Sequence, residues 1–93
     1  MFERIIKLMR EKIRKKQYIM TLHAEEEMNN DDLTIYDVES AILTGKIVER
    51  QRDRETTELK YRINGQTLSC DKVEVITKIS STGKLVIITV YVV

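Results

Sequence analysis

The sequence predicts a small α+β domain: an antiparallel sheet of three to five strands, with an N-terminal helix and two short helices packed on one of its faces. Three observations point there. The last nine residues, Leu85-Val86-Ile87-Ile88-Thr89-Val90-Tyr91-Val92-Val93, are uncharged and dense in β-branched side chains, as in a strand covered on both faces. Apolar residues near the start of the chain recur at helical spacing. Between these ends, turn residues separate short segments, helical ones early and alternating ones late, an order that segregates the helices from an antiparallel sheet.

Ninety-three residues suit one domain, residues 1–93, with one core and no room for an enclosed cofactor site. A charged fraction of 33% and a hydrophobic fraction of 42% are those of a globular chain rather than a disordered one. Uncharged stretches fall short of the roughly 20 apolar residues of a membrane helix. The first segment is charged and amphipathic, unlike a signal peptide, so the expected location is cytoplasmic, with no membrane contact. A single cysteine, Cys70, excludes an internal disulfide, and no second Cys or His stands at metal-ligand spacing, so neither metal nor cofactor is expected. Cys70 reads as a small buried hydrophobe.

The net charge of +1 conceals a segregation. Seven of the sixteen basic residues lie in the first sixteen positions, whereas residues 17–45 contain no Lys or Arg and carry seven acids. Either each block is the solvated face of its own helix, or the two form a charged docking surface, within the fold or towards a partner.

Phe2, Ile5, Ile6, Met9 and Ile13 follow one helical face, with Arg4, Lys7, Arg10, Lys12, Arg14, Lys15 and Lys16 on the remaining arc. Tyr18 to His23 alternates as a short strand. Ala24 to about Asn30 reads as a brief helix with Glu25, Glu26 and Glu27 in its first turn, ended by Asn29-Asn30-Asp31-Asp32. Thr34 and Asp37 form a capping-box variant ahead of Val38, Ala41 and Ile42, and Gly45 closes that helix. Lys46 to about Arg52 is the next strand, with Arg50 and Arg52 on one side and Glu49 and Asp53 on the other. Glu58 to Ile63 alternates again, and Asn64-Gly65 signals a hairpin turn. A parity change between Leu68 and Val73 predicts a bulge or break near Asp71-Lys72. Ser80-Ser81-Thr82-Gly83 turns into the last strand, which is expected inside the sheet. Val86, Ile88, Val90 and Val92 form an aliphatic face suited to the helices, and Thr89 and Tyr91 share the other face with Leu85, Ile87 and Val93. An unpaired edge strand would be open to a second copy, giving a homodimer.

Leu22-His23-Ala24, Met28, the Thr34-x-x-Asp37-Val38 helix start, Gly45 before a strand, Tyr61-Arg62 near a glycine, and the closing Ile88-Thr89-Val90-Tyr91 resemble a small bacterial domain-of-unknown-function family. Its marks are an HA-x-x-R-M opening and a terminal T-V-Y strand. The resemblance spans residues 18–93 and implies the RelE-like and barnase-like (BECR) superfamily, with helices on a curved antiparallel sheet. Members include ribonuclease toxins of toxin-antitoxin pairs. It implies functional positions at His23, Arg62, Thr89 and Tyr91, with Lys46 near the glycine-strand junction, and partners of two kinds, an antitoxin protein and RNA or the ribosome. Two positions depart from the family pattern: Glu27 stands where it favours arginine, and Asp31 where a further arginine often follows, so two anions would face phosphate.

Cleaving RNA without metal requires a base for the 2′-hydroxyl, an acid for the leaving oxygen and cations at the phosphate. His23 suits the first or second role, since its ordinary pKa, about 6.5, lies near physiological pH. On that reading Tyr91 assists, Arg62 and Lys46 hold the phosphate, Thr89 adds a hydroxyl, and Arg50 and Arg52 follow the backbone. Structural roles compete: His23 as a strand-end residue or helix cap, Tyr91 as half-buried packing, Arg50 and Arg52 as a solvated strand face. Two functions are therefore open, a metal-independent endoribonuclease restrained by an antitoxin and a catalytically silent relative that binds protein or RNA.

Overall fold

Ile6, Met9 and Ile13 lie on one face of α1 (Glu3–Arg14), and these are the residues it buries. The computed structural model, which describes Met1 to Val93, continues with β1 (Tyr18–Met20), α2 (Leu22–Asn30), α3 (Ile35–Thr44), β2 (Lys46–Arg52), β3 (Leu59–Gln66), β4 (Lys72–Ile79) and β5 (Leu85–Val92). The strands form one sheet in the order β1-β5-β4-β3-β2. β2 to β5 run as an antiparallel meander, while β1 pairs with β5 in parallel. The sheet is thus mixed rather than antiparallel: everything from α2 to β4 lies between β1 and β5 in the chain, and such a long connection can return the strand in the same direction. No helix is long and apolar enough to cross a membrane.

All three helices lie on one side. Met9, Ile13, Ala24, Val38, Ala41 and Ile42 join Ile47, Ile63, Val75, Leu85, Ile87 and Val90 in a single core cluster. The capping box forms as its residues require, Thr34 Oγ1 accepting from the Asp37 amide and Asp37 Oδ2 from the Thr34 amide. Part of the charge segregation is spent inside the fold. Lys16 Nζ lies 2.6 Å from Glu39 on α3, and the Tyr18 hydroxyl donates to the same oxygen at 2.5 Å, tying β1 to α3. Arg10 of α1 donates to the Gly45 carbonyl at the end of α3, where the helix dipole favours a cation.

Several local expectations change. β1 ends at Met20, because Thr21 caps α2 and places His23 in the helix rather than the strand. Asn64-Gly65 is not a turn but lies within β3; the hairpin turn falls at residues 67–71, so the break expected near Asp71-Lys72 is that loop. Gly65 is needed because α3 presses on β3 there: an added Cβ would sit 1.9 Å from the Ala41 carbonyl oxygen. Cys70 is exposed in the turn, with φ of 67°, and not a buried hydrophobe. In β5 the helix-facing residues are Leu85, Ile87 and Val90, whereas Val86 is buried on the opposite face and Val92 is exposed. Ile88 is an extra residue, since Ile87 pairs with Thr77 and Thr89 with Ile76; this bulge reverses the alternation part-way along the strand.

Two outcomes check this packing. Gly65→Ala forces α3 from β3 and is expected to destabilise the protein by about 3 kcal/mol, read as a lowered urea midpoint. Cys70 in the native protein is expected to react fully with a maleimide, without denaturant.

Candidate functional site: a polar cluster on the helix-free face

The face of the sheet away from the helices carries the side chains that alternate with the core. Cross-strand pairing aligns them in rows, since directly opposed residues share a face. One row runs Lys46, Asn64, Glu74, Tyr91, and the next Glu49, Arg62, Ile76, Thr89. Both bulges serve these rows. The extra residue Ile88 turns Thr89 and Tyr91 out of the core, and the extra residue Val48 in β2 does the same for Glu49, which would otherwise follow Ile47 inward.

Glu74 is the centre of the cluster. It is 8% exposed and receives three donors from the strands on either side, β3 and β5. The Tyr91 hydroxyl donates to Oε1, Arg62 Nη1 approaches the same oxygen at 3.3 Å, and Asn64 Nδ2 donates to Oε2 at 3.3 Å. A second carboxylate, Glu49 Oε1, lies 3.3 Å from Arg62 Nε; the contact is close enough for charge attraction but poorly aligned, and that Nε makes no hydrogen bond. The Tyr91 hydrogen bond, with Arg62 and Asn64, holds the Glu74 carboxyl below the usual range against the opposing effect of burial. The same bond to Glu74, reinforced by burial, raises the Tyr91 phenol, although Arg62 pulls it down. Arg62 is raised, first by the Tyr91 oxygen and next by the Glu74 charge. At neutral pH the cluster therefore holds a carboxylate, a protonated phenol and a guanidinium.

His23 stands apart, on the exposed side of α2, with its side chain 66% exposed and Nε2 3.1 Å from Glu27 Oε1 one turn on. That glutamate oxygen also accepts from the Val90 amide at 3.2 Å. His23 and the Glu74 cluster thus lie on opposite flanks of the C-terminal half of β5, which carries Thr89 and Tyr91, with α2 on one side and β4 on the other. Glu27 is accordingly occupied as a backbone partner of β5, and Asp31 is the exposed C-cap of α2. Lys46, exposed at the start of β2, is in register with Asn64 but makes no bond to the cluster. Arg50 and Arg52 pair with Tyr61 and Leu59, the core-side parity, and so face away from it; Arg52 donates to the Thr57 carbonyl at 3.4 Å.

The structure therefore brings Arg62 and Tyr91 together, keeps Thr89 in the row of Arg62 with Ile76 between them, sets His23 across β5, and leaves Arg50 and Arg52 outside. The residues that sequence reasoning passed over are Glu74, Asn64 and Glu49. One signal was available for Glu74: a lone acid between Val73 and Val75 in the middle of an apolar strand needs partners. No group of three His, Cys, Asp or Glu side chains converges as a metal ion would need.

A family model described as a domain of unknown function (DUF4258) matches residues 20–92. Neither a curated protein nor a solved structure matches the chain.

Acid stability tests the cluster. A carboxylate whose pKa is depressed by folding binds fewer protons in the native state than in the unfolded chain. Its stabilisation is complete above the unfolded value of roughly 4.3 and is lost as pH falls through the lower, folded value. Glu74→Gln is expected to flatten the fall in stability below about pH 4.3, measured by urea unfolding across the acid range. Glu27→Ala, which strips the Val90 amide of its partner, is expected to cost about 1–3 kcal/mol at neutral pH.

Proposed function

The chain belongs to the DUF4258 family, and we propose that it is a metal-independent endoribonuclease of the RelE-like kind, working at the C-terminal half of β5, with the polar cluster of the helix-free face on one flank and α2 on the other. The observation that carries this reading is that Glu74, Arg62 and Tyr91 are held together on three adjacent strands, in the protonation states that RNA cleavage requires. The packing of every helix on one face of a largely antiparallel sheet supports the superfamily placement.

In the reaction, the 2′-oxygen bonds to the neighbouring phosphorus as the bond from phosphorus to the 5′-oxygen breaks, leaving a cyclic phosphate and a 5′-hydroxyl. Glu74 takes the 2′-hydroxyl proton. Base and acid must stand on opposite sides of the phosphorus for in-line displacement, and His23, across β5 from Glu74, returns a proton to the 5′-oxygen. Tyr91, between them, hydrogen-bonds the phosphate. Arg62 is paired with Glu74 at rest; once Glu74 is protonated that attraction ends, and the guanidinium turns to the charge on the phosphate oxygens. Lys46, at the β2 end of the Glu74 row, attracts the next phosphate. An enzyme of this kind is harmful to its host and works beside an inhibitory partner, as in a toxin-antitoxin pair.

One observation favours a second reading. Arg62 already lies between two carboxylates, Glu49 and Glu74, so the cluster has no cation to spare. In a catalytically silent relative the same face would bind RNA or protein without cleaving it. Incubating the purified protein with total RNA and with ribosome-bound message in excess chelator separates the two. Cleavage is expected to fall about a hundredfold to ten-thousandfold in Glu74→Gln and in His23→Ala, and less in Tyr91→Phe. Undiminished activity in Glu74→Gln refutes the mechanism, and binding without cleavage establishes the silent relative.

A further inference from the structure

We propose that the outer edge of β1 and the groove beside it form a docking site for an extended, cationic segment of a different protein chain. The inference does not depend on whether the protein cleaves RNA. β1 is the last strand on its side of the sheet. The Leu85 amide donates to the Gln17 carbonyl and the Thr21 amide to the Ile87 carbonyl, so residues 17, 19 and 21 turn their backbone groups towards β5. By alternation, Tyr18 and Met20 turn theirs outwards, where no strand receives them.

Alongside this edge runs a groove of about 340 Å³ lined by Ile19, Met20, Met28 and Ile35, with Glu25 and Asn29 at its rim. Ile19 is 50% exposed, and Leu22, at the head of the same side of α2, is 71% exposed. Methionine lining suits a groove that adapts to the side chain it receives. The rim is anionic. Of the seven acids in residues 17–45, Glu27, Asp37 and Glu39 are engaged within the fold by the Val90 amide, the α3 cap, and Lys16 with Tyr18. Glu25, Glu26, Asp31 and Asp32 take part in no ion pair. Asn29 follows Glu25 at i+4, one turn on along α2, and lines the groove with it.

These features select the occupant. Free backbone groups call for a strand added at the edge, the apolar groove for alternate aliphatic side chains, and the unpaired Glu25 for a lysine or arginine between them. A second copy fits poorly. A twofold pairing of two β1 edges sets the same patch against itself and brings one Glu25 rim against the other.

The test uses the full chain, isotopically labelled, and two short capped peptides as probes, one alternating lysine with valine and one alternating glutamate with valine. The basic peptide is expected to shift the amide resonances of Tyr18, Ile19, Met20, Glu25 and Asn29. Its affinity is expected to fall roughly tenfold in Glu25→Lys, an exposed position that leaves the core intact. Ile19→Lys is expected to weaken it as well. The proposal is overturned if the basic peptide does not bind, if the acidic one binds as well, or if the shifts fall on the Glu74 cluster instead. Self-association through β1, seen by sedimentation and abolished by Ile19→Lys, would likewise overturn it in favour of a second copy.

Discussion

The structure depends on one constraint in β5. An uninterrupted strand with Leu85 and Ile87 among the helices would send Thr89 and Tyr91 into the core as well, burying two hydroxyls and expelling Val90. The extra residue Ile88 prevents this by reversing the alternation, so that Val90 stays in the core and Tyr91 reaches Glu74. Beyond Met20 no strand lies beside β5, and its outward backbone groups need other partners. Thr21 supplies one: its amide donates to the Ile87 carbonyl and its hydroxyl to the Ile88 carbonyl at 3.0 Å, while the same hydroxyl oxygen accepts from the Ala24 amide and starts α2. Glu27, near the middle of that helix, receives the Val90 amide. The end of β1, the start of α2 and the exposed placement of Tyr91 are thus one arrangement.

What could be read from the sequence was what is decided locally. The α1 face, the Thr34 capping box, the α3 span and the succession β2 to β5 follow from spacing and caps within a dozen residues. Contacts made at a distance were not legible. In a run as uniformly β-branched as Leu85 to Val93, a bulge leaves no mark, so the two faces of β5 were assigned without it. Asn64-Gly65 has the composition of a turn, yet its glycine answers to the approach of Ala41 from another element. From the sequence Glu27 reads only as an anion that would repel phosphate, because its backbone partner lies 63 residues away. Tyr91 and Arg62 entered through a resemblance, whereas Glu74, which joins them, has no motif and becomes visible only when three strands are set side by side.

Stability alone does not account for the Glu74 cluster. A poorly exposed carboxylate with donors from both neighbouring strands gains little over apolar side chains of similar size, and replacing such a set by hydrophobic residues is often neutral or stabilising. The same face accepts apolar residues elsewhere, with Val86 buried on it and Ile76 in the row of Arg62. Losing any single donor, however, leaves a charge poorly satisfied, so the members act as a unit and their substitutions will not add. A network that is costly to break, on a face that elsewhere packs with apolar residues, is what the proposed site requires, where one carboxylate must stay ionised and one guanidinium must stay beside it. His23 differs in kind, being exposed and held by one carboxylate alone. The cluster is therefore fixed at its anionic centre, whereas His23 across β5 is held by one contact, a division that suits the proposed reaction, in which the base is pre-set and the acid follows the substrate.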